Sequence, residues 1–238
     1  MFATRSKKKE LMDDLALASQ DLKKNLDELE IINYWLGGNQ VIINALQQLL
    51  DQGYFQREKT LRIADIGSGG GDLLRQMARW SRKKNLKVQL IGLDANAFMI
   101  HYAQERSRDF PEIQYAQKNI FDPSFSYADY DLVTASLFCH HFSNQELVEI
   151  FRKAYQEAKM GMIINDLHRH PLAYYGIRVL TQLFRGSYLV KHDAPLSVLR
   201  AFKRKELISL LNQANIQSAQ IRWLWAFRYQ VICLSSKK

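Results

Sequence analysis

The stretch Ile63-Ala64-Asp65-Ile66-Gly67-Ser68-Gly69-Gly70-Gly71-Asp72 limits what this chain can become more than any other. Leu61 to Ile66 is a short, mostly branched apolar run, which predicts a buried strand. Glycines at 67, 69, 70 and 71 predict a tight turn whose backbone can take positive φ and let a ligand approach closely. Leu73 to Trp80 then has helical spacing, so the free N–H groups of a helix start lie beside the turn. A P-loop is excluded, because no Gly-Lys-Ser/Thr follows. A dinucleotide loop reads G-x-G-x-x-G around a pyrophosphate. Here the spacing is Gly67-x-Gly69-x-Gly71, and the strand carries Asp65, a carboxylate that suits an ammonium group and opposes a phosphate. An ordinary glycine turn of an α/β protein is the alternative.

Downstream, the strand-and-helix alternation continues. Val88 to Asp94 predicts a second buried strand ending in an acid, and Asn96 a cap for a helix over Ala97–Arg106. An acid at the end of the second strand can accept from two vicinal ribose hydroxyls. Ile113–Gln117 and Tyr130–Ser136 predict strands three and four, Asn144–Ala158 a helix, and Met160–Asn165 strand five. Ala219–Leu224 and Phe227–Leu234 predict a closing antiparallel hairpin, after a helix over Lys203–Asn212.

The glycine loop with Asp65 resembles motif I of class I S-adenosylmethionine methyltransferases, D/E-x-G-x-G-x-G. Tyr130 to Phe142, with Leu137-Phe138-Cys139-His140-His141-Phe142, is similar to the corresponding stretch of the ubiquinone- and menaquinone-biosynthesis type. Three further blocks resemble bacterial natural-product methyltransferases, including ones associated with type III polyketide synthases. They are Glu10 to Asp14 with Ile32 to Gly38, Asn165 to Tyr174, and His192 to Phe202. The resemblance covers nearly the whole chain. It implies a Rossmann-like α/β sheet, mostly parallel with the last strand antiparallel, an N-terminal helical cap and a helical insertion after strand five. It implies S-adenosyl-L-methionine as cofactor, held by Asp65, Gly67, Ser68, Gly69, Gly71, Asp94, Ala95, Met99, Asn119, Ile120, Phe121, Ser136, Leu137 and His141. Asn119 stands where the family has an Asp or Asn facing the adenine, and Asp65 is expected at the amino-acid end of the cofactor.

The remaining segments are read as parts of one domain over 1–238, with no repeat or low-complexity linker. Residues 1–52 are a helical cap: Leu22, Leu26, Leu29, Ile32 and Leu36 mark one buried helical stripe, Ser19 its N-cap, and Asn39–Asp51 a second helix. Residues 61–165 are the cofactor-binding core, 166–202 a substrate lid, and 203–238 the closing helix and hairpin. Leu172–Phe184 is apolar nearly all round, which predicts a helix that is buried or lines a pocket. Lys191–Pro195 and Leu196–Phe202 follow it. His168 and His170 alternate with Arg169, so an extended segment points both the same way. They and His140 are the expected proton acceptors, with Asp166 or Arg169 orienting one of the first two.

Composition narrows the classes. The 47% apolar content suffices for a sizeable core. Cys139 and Cys233 have no metal-type spacing and read as reduced thiols of a cytoplasmic protein; no metal is expected. No apolar run reaches the ~18–20 residues that span a bilayer. The basic start, Arg5 to Lys9, precedes an acidic amphipathic helix and is no signal peptide. The net charge of +9 is spread along the chain and admits nucleic acid, an anionic surface or solvated faces. The expected function is methyl transfer from S-adenosyl-L-methionine to a small metabolite, by O-methylation of an aromatic, polyketide-like or acyl-bearing substrate. The alternatives are an RNA or other nucleic-acid methyltransferase and a non-catalytic binding protein of the same fold. Against the former, Ser136-Leu137-Phe138-Cys139 lacks the (D/N)-P-P-(Y/F/W) sequence of adenine-N6 enzymes.

Overall fold

A computed structural model describes residues 1–14, 20–184 and 186–235. Seven strands form one sheet in the order β3-β2-β1-β4-β5-β7-β6. They are β1 Leu61–Ile66, β2 Val88–Asp94, β3 Ile113–Gln117, β4 Leu132–Ser136, β5 Gly161–Leu167, β6 Gln220–Leu224 and β7 Arg228–Leu234. The first five are parallel, and β7 runs antiparallel between β5 and β6. Strand order reverses between β1 and β4, and the crevice beyond the carboxyl ends of the strands at such a reversal is where open α/β sheets take ligands.

Both faces of the sheet are covered, which accounts for the near-continuous apolar strands. On one face α2 (Gln40–Asp51) and α3 (Asp72–Lys83) press Ile42, Leu46, Leu49, Leu74 and Met77 against Ile63, Ile163 and Ile232. On the other, α5 (Asn144–Glu157) and α8 (Arg204–Gln213) press Leu147, Phe151, Leu207 and Leu211 against Ala64, Val133 and Ile164. The helix α1 (Gln20–Trp35) buries Leu22 and Leu26 against Met99 and Tyr102 of α4 (Ala97–Arg106). Leu29, Ile32 and Leu36 of the expected stripe are only half-buried. Asn96 caps α4, its Oδ1 accepting from Phe98 N at 2.8 Å and Met99 N at 3.3 Å. Ser19, the expected cap of α1, lies outside the described residues.

Two readings of the insertion change. The helix α6 (Pro171–Leu183) is not buried: Leu172, Tyr175, Val179, Leu183 and the following Phe184 are exposed, and only Thr181 is buried. The helix α6 lies mainly along α7, and Tyr174 meets Phe2 of the strap at 5.7 Å, which leaves its remaining side uncovered. Second, α7 is a single helix, Tyr188–Arg200, running through Pro195. Burial of Leu189, Val190, Leu196 and Val198 outweighs the cost of an interior proline, ~3 kcal/mol.

Residues 1–14 form a strap over the carboxyl end of the sheet. Ser6 N donates to Leu199 O at 2.9 Å, and the Asp193 carboxylate accepts from Leu11 N at 2.9 Å and Met12 N at 3.0 Å. Arg5 donates to the carbonyls of Arg200, His140 and Phe142 at 2.7, 3.1 and 2.9 Å.

Candidate active site

The glycine turn and the end of β2 are built as one unit. Gly67 N and Ser68 N donate to Leu93 O at 2.8 and 3.1 Å, and Gly69 N donates to Asp94 Oδ2 at 3.0 Å. Asp94 Oδ1 accepts from Asn96 N at 2.9 Å, so the carboxylate is held from both sides. Gly67 has φ +66° and Gly69 φ +48°; a Cβ on Gly67 would lie 2.0 Å from the Phe138 ring. A Cβ on Gly69 would meet only Leu26, at 3.9 Å, so its backbone borders open space.

That space is a cavity of about 1090 Å³, large against the ~300–1,000 Å³ of ordinary ligand sites. Of the expected cofactor residues, Gly67, Gly69, Asp94, Ala95 and Met99 line it from the β1 and β2 side. Asn119, Ile120, Phe121, Leu137 and His141 also line it; Asn119 Oδ1 accepts from Phe121 N at 3.0 Å and Phe121 packs on Phe142 at 5.5 Å. Thr4 to Lys7, Lys9, Met12 and Asp13 of the strap roof it. Asp65, Ser68, Gly71 and Ser136 are not on the wall. Asp65 turns into the sheet, where its Oδ1 accepts from Thr134 Oγ1 at 2.8 Å, and burial pushes its carboxyl up to about 8. Burial also raises the Asp94 carboxyl.

The histidines divide. His168 and His170 come together, ring centroids 5.4 Å apart, but away from the cavity. His168 Nδ1 accepts from Trp223 Nε1 at 3.2 Å, and His170 Nδ1 accepts from Leu172 N at 3.2 Å as the cap of α6. His140 does line the cavity. Leu137, with φ 53°, sends the chain into the turn Cys139–His141, a left-handed backbone that costs a leucine ~1–2 kcal/mol. There His140 Nδ1 lies 2.8 Å from Asp166 Oδ1, and His140 N donates to Asp166 Oδ2 at 3.1 Å. Asp166 thus orients His140 rather than His168 or His170. Burial opposes its ionisation, yet the His140 charge and hydrogen bond hold its carboxyl below the usual range. Arg169, the other expected orienting residue, is buried and paired with Glu206 at 2.5 Å.

The strap brings two more acids whose roles were not legible in sequence. Asp13 Oδ1 lies 2.5 Å from His141 Nδ1. Burial opposes the Asp13 charge, but His141 and Arg200 bring its carboxyl down to about 2. Glu10 Oε2 accepts from Ser197 Oγ at 2.8 Å, whereas Glu10 Oε1 has no hydrogen bond and lies 3.7 Å from His140 Nε2. Burial pushes Glu10 up to about 7. Arg200 ties these pieces, donating to Lys8 O at 2.7 Å, Asp13 Oδ2 at 2.8 Å, His140 O at 3.1 Å and His141 O at 2.5 Å. Glu10, Asp13 and Arg200 sit in the blocks that stood out in the sequence, which was the only signal for them. Among the described residues Glu10, His140 and His141 bring metal-type donors within 4.8 Å of one another. The Arg200 guanidinium, 3.6 Å from Glu10 Oε1, already supplies positive charge there.

A cofactor with a nucleoside and an amino-acid end fits these walls. A fixed carboxylate faces the cavity for hydroxyls, Ile120 and Phe121 offer a flat apolar surface, and the Gly69 backbone borders open space. Residues 63–161 match the family model of the methyltransferase domain. No curated protein matches the sequence. Among solved structures, the carbon methyltransferase CurJ overlays with a TM-score of 0.61 at 16% identity, covering 83% of this chain and 54% of its own. The CMeT domain of the citrinin polyketide synthase gives 0.57 at 15%, covering 76% and 48%. The chain therefore spans about half the length of these two. Magnesium protoporphyrin IX methyltransferase (ChlM) of Synechocystis PCC 6803, solved with bound SAH, gives 0.56 at 15%, covering 84% of each chain. At these identities the overlays establish the Rossmann-like methyltransferase fold. Residues 63–161 therefore carry a methyltransferase domain, and this domain in a methyltransferase fold indicates S-adenosyl-L-methionine as the cofactor.

Proposed function

We propose that the protein methylates an acidic hydroxyl, a phenol or enol, on a small aromatic or polyketide-like acceptor. One observation carries this reading: the cavity walled by Gly67, Gly69 and Asp94 is also walled by His140, whose Nδ1 is held by the buried Asp166 at 2.8 Å. Asp94 would take the ribose hydroxyls, and Asn119, Ile120 and Phe121 the adenine. Asp65, Ser68, Gly71 and Ser136 would shape the loop and strand ends behind them. When bound, S-adenosyl-L-methionine supplies a methyl group already activated as a sulfonium.

The chain's own task is to align the acceptor, strip its proton and exclude water. Asp166 accepts from His140 Nδ1–H, which leaves the lone pair on Nε2. Nε2 would take the acceptor's proton as the oxygen gains the methyl group, whose bond to the sulfonium sulfur would break and leave a neutral thioether. The imidazolium so formed stands between Asp166 and Glu10, the latter 3.7 Å from Nε2. The strap, pinned by Arg5 and Arg200, closes the roof. His168 and His170 then serve the fold at the start of α6. The roofed cavity favours a small acceptor over a nucleic acid. An acidic C–H between two carbonyls would meet the same base, and CurJ is a carbon methyltransferase.

The test is transfer of labelled methyl to a panel of phenols, enols and 1,3-dicarbonyl compounds, with RNA and DNA alongside. Label on at least one small acid is expected. Label on nucleic acid alone would overturn the proposal.

A further inference from the structure

We propose that the face made by the end of α1, the helix α6, the start of α7 and the β6–β7 turn docks on an anionic lipid bilayer surface. These segments are joined into one face. Ser187 N donates to both Glu28 carboxylate oxygens at 3.0 and 2.9 Å, which ties α1 to the start of α7. The His170 ring stacks on Phe227 at 5.0 Å, which ties the start of α6 to the turn. Arg228 Nη2 donates to Asn33 Oδ1 at 3.3 Å, which ties the turn to the end of α1.

The face is apolar and aromatic. Among the described residues, every large apolar side chain left exposed lies on it except Met1, Phe121 and Ile208. Trp35 is 77% exposed, Leu183 74%, Phe184 78% and Trp225 77%. Isolated apolar residues on a surface mean little, but a contiguous patch marks an interaction site. Indole and phenol rings, apolar with one polar atom, suit the boundary between headgroups and acyl chains.

Charge selects the partner. The sequence stretches 31–50, 167–192 and 207–238, which carry nearly all of this face, contain no Asp or Glu. Their described Arg and Lys residues are Arg169, Arg178, Lys191, Arg222 and Arg228. Arg169 and Arg228 are buried, while Arg178, Lys191 and Arg222 are exposed. The acids at its α1 border, Glu28 and Glu30, are already engaged by Ser187 N and by Arg75 and Arg106. An apolar face rimmed by the exposed Arg178, Lys191 and Arg222 is complementary to anionic headgroups over an apolar layer. No helix among the described residues is long and apolar enough to cross a membrane, so the contact is interfacial.

The experiment needs no substrate and is independent of the proposed reaction. The full chain is floated with vesicles of phosphatidylcholine containing roughly one-third phosphatidylglycerol, and with phosphatidylcholine alone, at low and high salt. The expected result is an affinity at least about tenfold higher for the anionic vesicles, falling with salt and falling at least about tenfold in Leu183→Glu/Phe184→Glu. Thermal melts and cofactor calorimetry establish that the variant is folded. Should it not fold, Val179→Glu and Trp225→Glu probe the same face from separate segments. Equal or absent binding to both vesicles would overturn the proposal. So would a dimer, seen by light scattering without lipid and lost in the same variants, because a second copy would then cover the face.

Discussion

Replacing Asp166 by Asn tests the proposed base while leaving the size of the side chain unchanged. The Asp166 carboxylate accepts from His140 Nδ1 at 2.8 Å, from the His140 backbone at 3.1 Å and from Leu167 N at 2.7 Å. An amide in its place can donate to Nδ1, which moves the imidazole proton to Nε2 and removes the lone pair that would take the acceptor's proton. General-base catalysis contributes about 10²–10⁴ in rate, so the turnover rate should fall by that factor, about 2.7–5.4 kcal/mol of barrier. Cofactor affinity should stay within about twofold, because Asp166 is not on the cavity wall. A double variant with His140→Gln should lose little more than either single one, since the pair acts as a unit. Stability gives a control whose sign is set. The Asp166 carboxyl is depressed below the ordinary 3.8 in the folded chain. Its contribution is therefore present above that value and lost as pH falls through the folded one. The wild-type melting temperature should drop on acidification through pH ~4 and below, while Asp166→Asn lacks that component. A folded Asp166→Asn that kept more than about a tenth of the wild-type rate would refute the role of His140 as base.

Two further variants address the cofactor end. Asp94→Ala should weaken S-adenosyl-L-methionine by at least about tenfold, ~1.4 kcal/mol, in calorimetry; unchanged affinity in a folded variant would remove Asp94 from the site. Asp65 is held near 8 by burial against an ordinary 3.8, so its neutral form is the native one, and the associated stability is lost as pH rises from the unfolded to the folded value. Asp65→Asn should therefore melt higher than wild type without cofactor at pH 7, by a margin on the order of 4 kcal/mol at most, and the difference should close towards pH ~4. The cofactor-induced rise in melting temperature should shrink in the same variant if Asp65 faces the ammonium end; a full rise would separate it from cofactor binding.

The legible parts of the fold were those set by local periodicity. Leu61–Ile66, the glycines and the helix after Asp72 declare themselves in one stretch, and Asn96 as a cap is a property of its own neighbours. The illegible parts depend on partners far away in sequence. A carboxylate on a strand can turn to either side, and nothing local tells Asp65 to meet Thr134 rather than the cavity. The neighbour of α6 is α7, and local periodicity cannot say how much of an apolar helix that neighbour covers. Pro195 breaks the helical pattern of α7, whose contacts with α1, α6 and the strap are all tertiary.

The same distinction explains why His140 stood out less than His168 and His170. His168 and His170 attract notice because Asp166 and Arg169 are their neighbours in sequence, but β5 sends Asp166 towards His140, 26 residues earlier. Glu10 reaches His140 only because Arg200, 190 residues downstream of Glu10, fixes the strap and the histidine turn together. With Asp13 and His141 held by the same guanidinium network, the cavity roof and the histidine pair are one structure. Opening the strap would remove Glu10 and Asp13 from the histidines at once. Water exclusion and the electrostatics of the base are therefore coupled through Arg200, although Arg200 need not touch the acceptor.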